Sequence, residues 1–149
     1  MIKAGVLRST YTTLLAGFFL MSGGAQAELL VKDGYVRGLP PGQQVTAAFM
    51  RLENPGTEDL VLTSGRSAVA AKVEFHQHSH ADGMMRMRQV PTLTVPAGGE
   101  LALAPGGLHL MLIGLQQVLQ EGDTVTIELC AAADKCTATE LPVISVLNE

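Results

Sequence analysis

Glycine and proline turn signals recur along the chain, and no stretch between them sustains a helical period. They are Pro40-Pro41-Gly42, Asn54-Pro55-Gly56, Ser64-Gly65, Asp82-Gly83, Pro96 to Gly99, Pro105-Gly106-Gly107 and Glu121-Gly122-Asp123. The runs Val45 to Glu53, Leu60 to Thr63, Lys72 to His76, Met84 to Val90, Leu101 to Ala104, Leu108 to Leu115, Thr124 to Leu129 and Thr137 to Val146 read as strands, on their length and their alternating or β-branched character. Only Ser67 to Lys72, rich in alanine, suggests a helical turn. Short strands joined by tight turns predict an all-β sandwich or barrel with Greek-key connections. With 47% hydrophobic and 16% charged residues the 149-residue chain is no disordered segment, and it has room for a single core.

The first 27 residues stand apart. Lys3 and Arg8 supply a positive start, Leu14 to Met21 a short apolar run, and Ala25-Gln26-Ala27 a small-x-small cleavage site. This is the pattern of a secretory signal peptide cleaved after Ala27. A membrane anchor needs about 20 apolar residues, and Ser22-Gly23-Gly24 ends the run too soon. No cysteine follows the run, which argues against a lipidated start. The expected mature domain spans residues 28–149, and losing Lys3 and Arg8 takes the net charge from −4 to −6. An acidic domain whose only aromatic residues are Tyr35, Phe49 and Phe75 offers nucleic acid neither a basic footprint nor a stacking platform. The expectation is an exported protein with no stable membrane insertion.

Cys130 and Cys136 suit an oxidising compartment, where a disulfide between them would staple two strands. Their spacing is not the C-x-x-C of a redox pair, and no histidine or further cysteine lies beside them to build a zinc site.

The residues that carry chemistry lie elsewhere. Three of the four histidines fall in His76-Gln77-His78-Ser79-His80, and Met84, Met85 and Met87 follow at once. The fourth, His109, stands two residues before Met111 inside the apolar run Leu108 to Ile113. Strand parity puts His109 and Met111 on one face, with Leu108, Leu110 and Leu112 toward the core. The same parity turns Val73 and Phe75 inward and Lys72, Glu74, His76, His78 and His80 outward. A two-residue turn at Asp82-Gly83 would set Met87 directly opposite His78, with His76 only diagonal to it. A single methionine is ordinarily core filling, and a single histidine ordinarily a hydrogen-bonded surface residue. Together they describe a soft site: thioethers carry no proton and select Cu(I), imidazole completes the set, and no thiolate is exposed to oxidation. His78 and His80 are auxiliary candidates, also suited to Cu(II), against their plainer reading as a solvated loop. Arg86 and Arg88 fall on the other face of their strand, where solvation is the simplest role.

The spacing His76, ten residues, Met87, twenty-one residues, His109, one residue, Met111 resembles the H-x10-M-x21-H-x-M pattern of the periplasmic copper chaperones called PCu(A)C. So do Ala47-Ala48-Phe49-Met50 running into Glu53-Asn54-Pro55-Gly56, Val73-Glu74-Phe75-His76, Met85-Arg86-Met87-Arg88, Pro96-Ala97-Gly98-Gly99 and Pro105 to Leu112. The likeness covers essentially the whole mature chain. It implies a cupredoxin-like β-sandwich that binds one Cu(I) at an exposed site through His76, Met87, His109 and Met111. It further implies a periplasmic monomer that transfers copper to an acceptor for assembly of the CuA centre of cytochrome c oxidase, either subunit II itself or a Sco-type thiol protein. The family pattern would need a longer or shifted hairpin loop to favour His76 over His78.

Other functions stand beside this one. General periplasmic copper binding or tolerance would use the same site. An electron-transfer cupredoxin needs a cysteine thiolate with two histidines, and neither cysteine is placed for that. An enzyme is not expected, because the chain lacks G-x-S-x-G, H-E-x-x-H and a phosphate loop. A metal held by four protein ligands would also leave no position for substrate.

Overall fold

The computed structural model describes residues 28–132 and 135–148. The expected leader, residues 1–27, lies outside the described residues. Eleven strands follow one another: β1 Leu30–Gly38, β2 Val45–Glu53, β3 Leu60–Leu62, β4 Ser64–Arg66, β5 Ala70–Ala81, β6 Met84–Gln89, β7 Leu93–Val95, β8 Glu100–Leu103, β9 Leu108–Leu115, β10 Thr124–Ala132 and β11 Lys135–Ser145. A single 3-10 turn, Val146–Asn148, ends the described chain.

The main sheet closes on itself. Its order runs β1-β11-β10-β4-β5-β9-β2, and β2 pairs again with β1, so seven strands form a barrel. The β1–β11 pair is parallel, and every other pairing is antiparallel. Closure removes the open edges that a flat sheet would expose. β8 adds to the far half of β2, while β6 adds to the far half of β5. β3 and β7 form a small second sheet that contributes Leu62, Leu93 and Val95 to the core.

Alternation decides what fills the barrel. Ala48, Met50 and Leu52 of β2, Val73 and Phe75 of β5, and Leu110 and Leu112 of β9 point inward and pack with Val36, Ile127 and Val143. Each fully buried aliphatic side chain of this kind contributes roughly 1.5–3 kcal/mol. The intervening residues face out: Ala47 and Phe49, Glu74 and His76, His109 and Met111.

One expectation from the turn signals is corrected. Ser64-Gly65 is not a turn but the start of β4, and Gly65 pairs with Val73 so closely that a Cβ there would come 2.9 Å from the Val73 side chain. Glycine serves close approach here rather than chain reversal. Ser67 to Lys72 makes a single turn as expected, closed by the Ala70 N–H donating to the Ser67 carbonyl, and Ala70 then begins β5 opposite Leu115 of β9. Asp82-Gly83 is the tight turn expected. Both residues have positive φ, 54° and 73°, as a primed hairpin turn requires.

Candidate metal centre

β5 and β9 lie side by side with His76 opposite His109 and Glu74 opposite Met111. β6 sets Met87 opposite His78, Met85 opposite His80 and Gln89 opposite His76. Register partners point to the same face, so Glu74, His76, His78, His80, Met85, Met87, His109 and Met111 share the outer wall of the barrel. All four residues of the expected ligand set are thus on one surface, with both auxiliary histidines. The two-residue turn persists, so His78 is the histidine directly across from Met87 and His76 is diagonal to it.

The three histidines nearest β9 form a cluster. The His78 ring lies 4.9 Å from that of His109, and the His76 ring 6.0 Å. His80 stands further out along the hairpin and is exposed. Met87 is 48% exposed, whereas Met111 is half-buried.

His109 departs from the picture of an exposed site. It faces away from the core as parity demands, yet only 2% of its surface reaches solvent. The cover comes from the same wall. Phe49 lies with its ring 6.2 Å from His109, Tyr35 tilts against Phe49 at 5.3 Å, and the Arg37 guanidinium sits 5.1 Å over the Phe49 ring. Burial holds the His109 imidazole below the ordinary histidine range. The nearby His78, His76 and Arg37 push the same way, against a smaller opposing effect of the hydrogen bond to Gly107. The ring therefore stays neutral, as a metal ligand must.

Its tautomer is fixed as well. His109 Nδ1 lies 2.9 Å from the Gly107 carbonyl oxygen, which can only accept, so Nδ1 carries the proton and Nε2 keeps a bare lone pair. That Nε2 is buried without a partner, and so are Nδ1 of His76 and Nδ1 of His78. His76 is oriented by Glu74, whose Oε2 is 3.0 Å from His76 Nε2. With Nε2–H donating to the carboxylate, Nδ1 is left free. This arrangement, one ring nitrogen anchored and the other bare, is how proteins present histidine to metals. Three buried nitrogens without partners are costly unless something binds them. Among the described residues no three His, Cys, Asp or Glu groups have the mutual spacing of a closed metal cage. The imidazoles alone thus do not enclose an ion; the thioethers beside them have to contribute, or the rings must close in.

The cysteines lie across the barrel from this wall. Cys130 and Cys136 are register partners on β10 and β11, joined as a disulfide. Glu74 and the Tyr35–Phe49 cover are site residues that the sequence alone does not single out. Glu74 was already on the outward parity of His76, and that parity was the available signal. Tyr35 has none, because Lys32-Asp33-Gly34 interrupts the alternation of β1.

Comparison with known proteins decides the family. Residues 29–143 match the model described as "Putative lipoprotein LpqE-like". The chain belongs to this LpqE-like family, which is the PCuAC family. A curated relative of the LpqE-like chain, "Putative lipoprotein Lxx21020" of Leifsonia xyli subsp. xyli, is 30% identical over 103 residues, which are 68% of this chain and 62% of that protein. The match thus spans less than two thirds of the relative's length. Among solved structures, CuI-DR1885 from Deinococcus radiodurans is 35% identical, with a TM-score of 0.62 over 81% of this chain and 82% of that one. Its apo form is 29% identical, with a TM-score of 0.61 over 97% of both chains. The copper-bound PCuAC domain from PmoF2 is similar in fold at 16% identity, with a TM-score of 0.65 over 80% of this chain and 96% of that domain. The PCuAC fold of these domains is cupredoxin-like and all-β, as expected from the sequence.

Proposed function

We propose that this LpqE-like protein is an exported copper chaperone, which binds one Cu(I) as cargo on the outer wall of its barrel and hands it to an acceptor protein. His76, Met87, His109 and Met111 are the ligands of this reading, with His78 beside them. The observation that carries it is the set of three buried ring nitrogens without partners, His76 Nδ1, His78 Nδ1 and His109 Nε2, on the face that also bears Met87 and Met111. A neutral N and thioether set selects Cu(I), and with no anionic ligand it leaves the ion its positive charge, which favours release to a thiolate-bearing acceptor. The Cu(I)-bound DR1885 structure, from a relative 35% identical, supports the same cargo.

The wall also suits transfer. His109 is a fixed inner donor, while Met87 is half exposed on a strand with one neighbour. An acceptor's ligands would replace the outer donors first and His109 last, so that copper is never free in solution. The protein does no covalent chemistry in this reading, and works as a monomer. The leader pattern of residues 1–27 and the lipoprotein names of its relatives support an exported, periplasmic setting. The acceptor assigned is the CuA centre of cytochrome c oxidase subunit II, directly or through a Sco-type thiol protein. Both cysteines are bonded to each other, so neither offers the thiolate of an electron-transfer cupredoxin.

Mixing the Cu(I)-loaded protein with the apo soluble domain of subunit II, and separately with a reduced Sco-type protein, tests the role. Copper is expected to co-purify with one of them after separation. Retention on the loaded protein in both mixtures would overturn the CuA assignment in favour of general copper binding or tolerance.

A further inference from the structure

The metal-ligating residue types do not stop at the cluster around His109. β5 and β6 continue outward as a hairpin, and His80 and Met85 are register partners one rung beyond His78 and Met87. The two rungs share a face, about 7 Å apart along the strands. Across each rung the Cβ atoms of such partners stand about 4.5–5.5 Å apart, a span that an imidazole nitrogen and a thioether sulfur can bridge through one ion. The tip is held by the primed turn at Asp82-Gly83, which fixes the register of both rungs.

Packing gives no account of this outer pair. Met85 is 61% exposed, all six residues of β6 are exposed, and the strand pairs with β5 alone. An exposed strand gains nothing from apolar thioethers, where polar side chains would keep it soluble and guard its edge. Met85 therefore stands in water at the end of the hairpin, with an imidazole directly across from it. Cu(I) and its redox-inert analogue Ag(I) accept two such donors, and neutral soft ligands discriminate against the hard cations of solution.

We infer that His80 and Met85 form a second, weaker Cu(I) station at the hairpin tip, through which the ion reaches and leaves the inner site. The inference rests on the reading of the protein as a Cu(I) carrier. Passage between the stations is ligand exchange: the bond to Met85 sulfur breaks as the bond to Met87 sulfur forms, and the His80 bond gives way to His78. The copper remains Cu(I), and no proton or electron moves.

Methionine-methyl NMR of the protein, titrated with Ag(I) and with anaerobic Cu(I), separates the two claims. The first equivalent is expected to shift the methyls of Met87 and Met111. Further metal should then shift that of Met85, with affinity at least about tenfold weaker. Met85→Leu and His80→Ala should each abolish the second event, leave the first intact, and slow metal transfer to a chelator several-fold. If Met87 and Met111 respond but Met85 stays still under excess metal, the outer station is wrong while the carrier reading survives. A Met85 methyl that moves together with the first equivalent would also overturn it, placing Met85 in the inner site. If no methionine responds, the carrier reading fails and the outer station with it.

Discussion

Met87 stands directly across the β5–β6 pair from His78, while His76, two residues earlier on the same strand, faces Gln89. The H-x10-M spacing therefore names a histidine diagonal to its methionine, and the direct partner is one that the spacing omits.

His78 is accordingly predicted to matter for copper. His78→Ala should weaken Cu(I) binding by about tenfold or more, a loss of at least 1.4 kcal/mol, and His76→Ala should do the same. Competition with a chromophoric chelator measures both. Binding unchanged in His78→Ala would return this residue to a solvated role.

Glu74 is predicted to act through His76. Its carboxylate holds His76 Nε2 and so turns Nδ1 toward the cluster. Removal of such outer partners costs roughly 10- to 100-fold in metal affinity, so Glu74→Ala should weaken Cu(I) binding in that range while Glu74→Gln, which can still accept the hydrogen bond, retains most of it. Equal losses in the two variants would point to the charge of Glu74 rather than its aim. Chelator competition on both, with a thermal melt to confirm folding, distinguishes these outcomes.

The buried His109 makes the metal-free protein sensitive to acid. Its folded-state pKa lies below the ordinary value of 6.5, so the unfolded chain binds more protons between the two. The contribution of His109 to stability is then full above about 6.5 and is lost as the pH falls from there toward the folded value. Denaturant midpoints measured from about pH 7.5 to about pH 5.5 should fall more steeply in the wild type than in His109→Leu. Parallel slopes would show that the ring is not held neutral.

The disulfide is predicted to be structural only. It closes a short loop between β10 and β11, across the barrel from the histidines, and chain-entropy reasoning gives it about 2 kcal/mol. The Cys130→Ala, Cys136→Ala double variant should lose about that much stability in denaturant melts and bind Cu(I) as before. Lost copper binding in a folded variant would contradict this placement.

The strands legible in the sequence are those that clear turn signals bracket. β2 and β9 run over the residues expected, because Pro40-Pro41-Gly42 and Asn54-Pro55-Gly56 bound the one and Pro105-Gly106-Gly107 opens the other. β1 was not legible: Lys32-Asp33-Gly34 interrupts it, the register shifts between Lys32 and Tyr35, and Asp33 has a positive φ. β7 is three residues close to Pro91 and Pro96, and β4 is hidden behind a serine-glycine pair that resembles a turn. At the site, ligand types and their shared face follow from parity within each strand. The burial of His109 does not, because its cover, Phe49 and Tyr35, is assembled from β2 and the unrecognised β1. Long-range pairing of this kind leaves no local signal.

The most direct test of the central claim is an anaerobic Cu(I) titration of the protein against a chromophoric chelator, beside Met87→Ala and the His109→Ala, Met111→Ala double variant. One tight equivalent, strongly weakened in both variants, is the predicted result. Tight binding that persists unchanged in both would contradict the assignment of the copper to this wall of the barrel.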